Sequence, residues 1–371
     1  MSRWGFFIVR PALNPRHVSL GTMHNSNVDA KTETPASPPN KQLASNDDSG
    51  FQAGPALQEP GDATFATVDG TKIRYVDQGA GPAVVLLHGF ASSLEVWSQL
   101  VPQLAREHRA VALDLKGFGL SDRGGGDYSP RAQAKLVWSL LDHLQIDRAA
   151  VVGHSWGAAV ALAMALAAPA RTTRIAVYDG WVYEEQLSWL FRWARADWIG
   201  ESLLGFYDER CVRAQLALAF HDPSYVTPER VKTVASRMAS HAARIAALAT
   251  MRAMRFAQQQ TLYSTIRVPA LVLWGLQDAI ASPTFGERLA MDLGAELVIF
   301  PRCGHFPMIE AAEASNAALQ RFLRRPKRAW WSPLVRAGRR AWVLHRRFLE
   351  RRNPLRKTAS GARADRVSHG G

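Results

Sequence analysis

The sequence predicts an α/β fold: a mostly parallel central sheet, helices on both of its faces, and a helical cap inserted between two strands. Three observations carry this expectation. Short, nearly all-apolar runs alternate with helical stretches, as strands buried on both faces do. An Asp69-Gly70 pair between two alternating segments marks a tight antiparallel hairpin at the start. One connection, from Tyr183 to Thr265, runs to about eighty residues with helical spacing, which is too long to exist as a bare loop.

Taken in order, residues 1–61 read as a disordered leader. Residues 24–61 are rich in Asn, Ser, Pro, Asp and Gly, and so bury too little apolar area to offset their ordering entropy. Arg10 and Pro11 interrupt the apolar start, which argues against a signal peptide. Residues 1–28 are basic with no acid, a weak likeness to a transit segment, and Met23 offers an alternative start. The core spans 62–182 and 266–325. Its hairpin is Phe65–Val68 with Thr71–Val76, followed by strands at Ala83–Leu87, Arg109–Leu113, Ala149–Val152, Arg174–Tyr178, Ala270–Trp274 and Ala295–Phe300. The helical cap spans 183–265, with Trp189, Phe191, Trp193, Trp198, Phe206, Tyr207, Phe220 and Tyr225 as its aromatics. Pro223 and Pro228 mark breaks between its helices. A basic tail, 326–371, closes the chain.

Composition narrows the class. Two distant cysteines, Cys211 and Cys303, exclude a disulfide-stapled domain and a zinc-ligand spacing, and fit a reducing, cytoplasmic setting. The net charge of +13 is a property of the tail. Residues 321–371 hold 16 Lys and Arg against Glu350 and Asp365, which is +14 and leaves −1 for the other 320 residues. A nucleic-acid partner therefore does not follow from the basic pI. No apolar run reaches the roughly 18 residues that a membrane span needs.

The chemistry centres on Gly153-His154-Ser155-Trp156-Gly157, which follows a strand and opens an alanine-rich helix. On such a turn the serine hydroxyl stands above the sheet, and neighbours two positions away must be small. The helix also directs its positive end at a developing oxyanion. A serine needs a base, and the base needs a group to orient it. Where serine sits on this kind of turn, acid and histidine follow it in that order. His305, after the last strand, is the base, and Gly304 before it gives its loop freedom. Asp278, after the strand ending at Trp274, is the acid. Asp179, at the end of the preceding strand, competes for that role and otherwise reads as a loop or cap anchor. Two backbone N–H groups would form the oxyanion hole, those of Trp156 and Phe90. Phe90 lies in the loop His88-Gly89-Phe90, where His88 braces the turn.

With these segments in view, the chain resembles the α/β-hydrolase superfamily, in its capped branch of esterases and carbon–carbon bond hydrolases. The matching stretches are His88-Gly89-Phe90, Asp114 to Asp122, Gly153 to Gly157, Asp278 and Gly304-His305. The resemblance implies that the Asp114–Ser121 segment is a structural loop near the site. Serine at 155 departs from haloalkane dehalogenases and epoxide hydrolases, which place aspartate there. The missing Gly-Gly after Gly89 departs from lipases with the longer glycine-rich loop. The expected reaction is hydrolysis of a small-to-medium, largely apolar ester through a Ser-His-Asp triad. The same triad also fits carbon–carbon bond cleavage of a β-diketone. A non-catalytic, membrane-tethered accessory protein that retains the fold is the alternative from outside enzymology. No metal or organic cofactor is called for.

The tail has its own pattern. Ser332-Pro333 can start a helix on which Trp331, Val335, Trp342, His345 and Leu349 share a face, with arginines at 336, 339, 340, 346 and 347 around it. This reads as an interfacial helix for an anionic membrane surface, which would make the protein peripheral to a membrane. Docking to a protein partner or to its own domain is the second reading. Nucleic acid is the third, without a motif to support it.

Overall fold

A computed structural model describes residues 64–193, 195–196, 200 and 208–326. The leader, the basic tail beyond Pro326 with the helix expected there, Trp198, Phe206 and Tyr207 lie outside the described residues.

Eight strands form one sheet: β1 (Thr64–Val68), β2 (Thr71–Gln78), β3 (Ala83–Leu87), β4 (Arg109–Leu113), β5 (Ala149–His154), β6 (Thr172–Tyr178), β7 (Ala270–Gly275) and β8 (Glu296–Phe300). Their spatial order is β1-β2-β4-β3-β5-β6-β7-β8. β1 and β2 pair antiparallel, as do β2 and β4, and every other pairing is parallel. The hairpin turns on Asp69 and Gly70, with φ of 48° and 71°. Two successive positive φ values give the twist that matches a hairpin, and Asp-Gly tolerates them.

The alternation of strand side chains separates two cores. Val85, Leu87, Val111, Leu113, Val151, Val177, Val272 and Trp274 face one way. They are covered by α2 (Pro130–His143), α3 (Trp156–Ala167) and α8 (Pro283–Leu293). Val84, Leu86, Ala110, Ala112, Val152, Tyr178, Leu271 and Leu273 face the other way, under α1 (Val101–Leu104) and α10 (Ala312–Arg324). Helix α3 is buried along its length from Trp156 to Ala165, so its small residues let it lie directly on the sheet.

Between β6 and β7 the insert contains α4 (Trp189–Trp193), α5 (Glu209–Ala219), α6 (Pro228–Met238) and α7 (His241–Ala253). Local chemistry sets their starts. The side chains of Asp208, Thr227 and Ser240 accept N–H bonds from the first turns of α5, α6 and α7, each such cap contributing about 1 kcal/mol. Pro228 is the first residue of α6, and Pro223 opens a short 3-10 turn. A small cluster of Val212, Leu216, Phe220 and Val231 packs α5 and α6 together and reaches Phe306 in the core. A short helix, α9 (Pro307–Glu310), precedes α10. No helix among the described residues is long and apolar enough to cross a membrane.

Candidate active site

Ser155 lies between β5 and α3 with φ 52° and ψ −121°. A non-glycine residue there is held in a disfavoured backbone region, which costs of order 1–3 kcal/mol and persists only where its surroundings enforce it. Its N–H donates to Tyr178 O at 2.9 Å, and its carbonyl accepts from Trp181 N at 2.9 Å. The turn is crowded on both sides. A Cβ on Gly153 would lie 2.4 Å from Gly157 O, and one on Gly157 would lie 2.4 Å from His88 O. Size, not only flexibility, therefore fixes glycine at both positions.

His305 and Asp278 meet. His305 Nδ1 and Asp278 Oδ2 are 2.7 Å apart, in a buried setting. The other oxygen of Asp278 accepts N–H bonds from Ile280 at 2.8 Å and Ala281 at 2.9 Å, so the loop after β7 locks the carboxylate in place. His154, the residue before Ser155, ties that turn to the His305 loop, a contact that sequence reasoning passed over. His154 Nε2 donates to His305 O at 2.8 Å, and the two rings lie 4.8 Å apart. Burial, with the neighbouring His305, holds the His154 imidazole well below its usual range, so it is neutral. No hydrogen bond joins the Ser155 hydroxyl to His305 among the described residues.

The loop after β3 is braced as expected. Leu115 N–H donates to His88 Nε2 at 3.0 Å, which leaves His88 Nδ1–H for Gly89 O at 2.7 Å. Burial pushes the His88 imidazole down, keeping this tautomer neutral. Among the described residues, neither the Phe90 nor the Trp156 N–H is bonded to a protein acceptor. The Asp114–Ser121 segment is a fastening: the Asp114 carboxylate accepts from Leu94 N and Leu120 N at 2.8 Å each, and Ser121 Oγ donates to Asp114 O.

The insert reaches the site at two points. His305 N–H donates to Ala219 O, the last residue of α5, at 2.6 Å. Gly304 has no positive φ, and a Cβ there would lie 2.3 Å from Ala219 O. The sequence reading gave Gly304 as a source of loop freedom; the structure corrects this to a need for room. Glu310 ties the same region together, accepting from Gly304 N at 2.6 Å and from Asp222 N at 2.9 Å. At the second point, Phe191 of α4 packs edge-on against Phe90 and Trp181, and Leu248 and Met251 of α7 join that cluster. Trp189 and Trp193, by contrast, are exposed.

Asp179, expected as a loop or cap anchor, fastens the end of β7, just ahead of the loop that carries Asp278. Its carboxylate accepts from Gly275 N at 2.9 Å. Carboxylate oxygens of Asp179 and Asp278 and a ring nitrogen of His305 lie within 4.8 Å of one another. Those residues are the group among the described residues with a geometry suited to a cation; Gly275, Ile280, Ala281 and the Asp278–His305 bond engage one oxygen of Asp179, both of Asp278 and His305 Nδ1. The cluster is therefore a hydrogen-bonded one.

A family model described as the alpha/beta hydrolase fold matches residues 82–312. The chain belongs to the α/β-hydrolase family. Among curated relatives, this α/β hydrolase is 33% identical over 284 residues to the dihydrolipoyllysine-residue acetyltransferase component of the acetoin cleaving system of Pseudomonas putida, covering 73% of this chain and 70% of that one. It is 29% identical to a 2-hydroxy-6-oxononadienedioate/2-hydroxy-6-oxononatrienedioate hydrolase of Cupriavidus pinatubonensis, over 72% of this chain and 97% of the relative. Among solved structures, a thermophilic esterase from Thermogutta terrifontis is similar with a TM-score of 0.61 and 25% identity, covering 71% of this chain and 98% of that chain.

Proposed function

We propose that this α/β hydrolase is a serine hydrolase that cleaves a small-to-medium, largely apolar ester by acyl transfer. One observation carries the reading: the 2.7 Å Asp278–His305 bond, set after β7 and β8 beside a serine held at positive φ above β5. Asp278 accepts the Nδ1 proton, which leaves Nε2 as the free base of the imidazole. His305 takes the Ser155 proton as Oγ attacks the ester carbonyl. The N–H groups of Phe90 and Trp156, the latter at the start of α3, receive the oxyanion. The imidazolium then protonates the departing alcohol, and a water activated by the same histidine releases the acid. The segment 183–265 acts as the cap, presenting Phe191, Leu248 and Met251 to Phe90 and favouring an apolar acyl or alcohol group.

Fluorophosphonate labelling and hydrolysis of short p-nitrophenyl esters test this. Wild type is expected to do both, and Ser155→Ala to lose turnover by about 10⁴-fold or more along with the label. Labelling that survives the substitution removes Ser155 as nucleophile. The near full-length likeness to a hydrolase of 2-hydroxy-6-oxononadienedioate favours a second reading, carbon–carbon bond cleavage. Turnover of a β-diketone with esters left untouched selects that reading.

A further inference from the structure

Two buried carboxyl groups stand beside His305, and only one of them bonds to it. Asp278 uses both oxygens, on His305 and on two backbone N–H groups. Asp179 uses one, on Gly275 N, and its Oδ2 is buried with no donor among the described residues. A carboxylate oxygen buried without a donor is expensive, by several-fold more than a satisfied one. Two ionised carboxylates within 4.8 Å, both shielded from water, repel strongly as well. Both difficulties vanish if Oδ2 carries a hydrogen, because Asp278 is then its acceptor. Asp179 is also held in place at some cost, with φ 42° ahead of Gly180 and its own N–H on Leu273 O.

We propose that Asp179 carries a proton in the resting protein and donates it as a hydrogen bond to Asp278, so that Asp179 is a positioning residue for the Asp278–His305 pair. The surrounding chemistry agrees. Burial, then the negative charge of Asp278, drives the Asp179 carboxyl well above the usual carboxylate range, with the Gly275 N–H offsetting part of the rise. The titratable groups around it are Asp278, His305, Glu310 on α9, Tyr178 on β6 and Cys303. Burial and the carboxylates push the Cys303 thiol up, so it stays neutral, as does the buried Tyr178 phenol. The charges that act on Asp179 are those of Asp278 and Glu310, both negative, and each favours the acid form. The bond withdraws charge from Asp278 and fixes its rotamer. It thereby sets how strongly Asp278 holds the imidazole and at which pH the base becomes available.

The catalytic consequence rests on the serine-hydrolase reading; the protonation does not. Stability against pH therefore tests the protonation on the intact chain, without any substrate. A carboxyl protonated when folded and ionised when unfolded lowers stability as pH rises above about 4, by about tenfold in the folding constant per pH unit until its folded pKa is reached. Asp179→Asn cannot titrate, so its urea midpoint is expected to gain on wild type steadily between pH 4 and pH 7. Resting-state infrared difference spectra of the same pair should show a carboxylic-acid C=O band that the variant lacks. Parallel stability curves and no such band would overturn the proposal. For positioning, Asp179→Ala is expected to shift the acid limb of the kcat/KM profile to higher pH, and Asp179→Asn, which keeps a donor, to restore it. If Asn fails as Ala does, with its stability gain intact, Asp179 acts as an ionised partner during turnover and the positioning role falls. If wild type turns over neither an ester nor a β-diketone, the catalytic reading fails while the stability curves still decide the protonation.

Discussion

The two arms of the candidate site are built by different physics. The Ser155 arm is steric: a strained backbone at φ 52°, wedged between Gly153 and Gly157, with no room for one more carbon on either side. The Asp278–His305 arm is electrostatic: a buried carboxylate fixed by two N–H bonds, a histidine fixed by its ring, its amide and its carbonyl, and a second carboxyl alongside. A steric device works at all pH values and fails all at once. An electrostatic one can be tuned by degrees, and it fails by degrees.

The contrast can be broken most sharply at Asp278. Asp278→Asn retains the shape of its loop but reverses the tautomer demanded of His305, and is expected to lower kcat by about 10⁴-fold with little change in the far-UV spectrum. The steric arm should respond in the opposite currency. Gly153→Ala puts a Cβ 2.4 Å from Gly157 O, and is expected to cost about 2–3 kcal/mol of stability, read as a lowered urea midpoint. An Ala variant as stable as wild type would show that the turn is not crowded.

A smaller effect sharpens how the insert is tied to the core. Arg237 of α6 meets Glu95 at 2.5 Å, and Arg74 meets the same carboxylate at 2.8 Å. Burial pushes Glu95 up, but hydrogen bonds from Ser93 and Arg74 and the charge of Arg237 outweigh it and hold Glu95 at about 2. Its folded pKa lies below the ordinary 4.5, so the link stabilises the protein above that value and is lost as pH falls towards about 2. Glu95→Gln should flatten this part of the acid-denaturation curve, which thermal melts across that range would detect. The smallest expected effect concerns the tail. Vesicles with anionic lipid are expected to retain the full chain at low salt and to release a chain ending at Arg325; equal retention would discard the membrane reading.

The steric arm was legible in the sequence because crowding leaves a spacing: two glycines flanking a serine, between an apolar strand and an alanine-rich helix. The same holds for the strands, whose apolar runs lie within a few residues of β3 to β8, and for Asp69-Gly70, which only a narrow turn type explains. The electrostatic arm was legible in its members but not in its arrangement. Asp179 and Asp278 each follow a strand, and nothing in a linear chain says that neighbouring strands bring both carboxyls to one imidazole. His154 was invisible for another reason. Between Gly153 and Ser155 it occupies the position that the motif leaves open, and its contact with His305 is 151 residues away in sequence. Ala219 acts through its backbone carbonyl, and the Glu310 carboxylate acts on the backbone N–H groups of Gly304 and Asp222, so in each contact a backbone partner carries no residue-type signal.

The bond from His305 N–H to Ala219 O joins the histidine's own backbone to the end of α5. Displacing α5 would break that bond and unstack Phe220 from Phe306 together. Its proton is thus a built-in clock for docking of the insert, and its deuterium exchange would time any opening between α5 and His305.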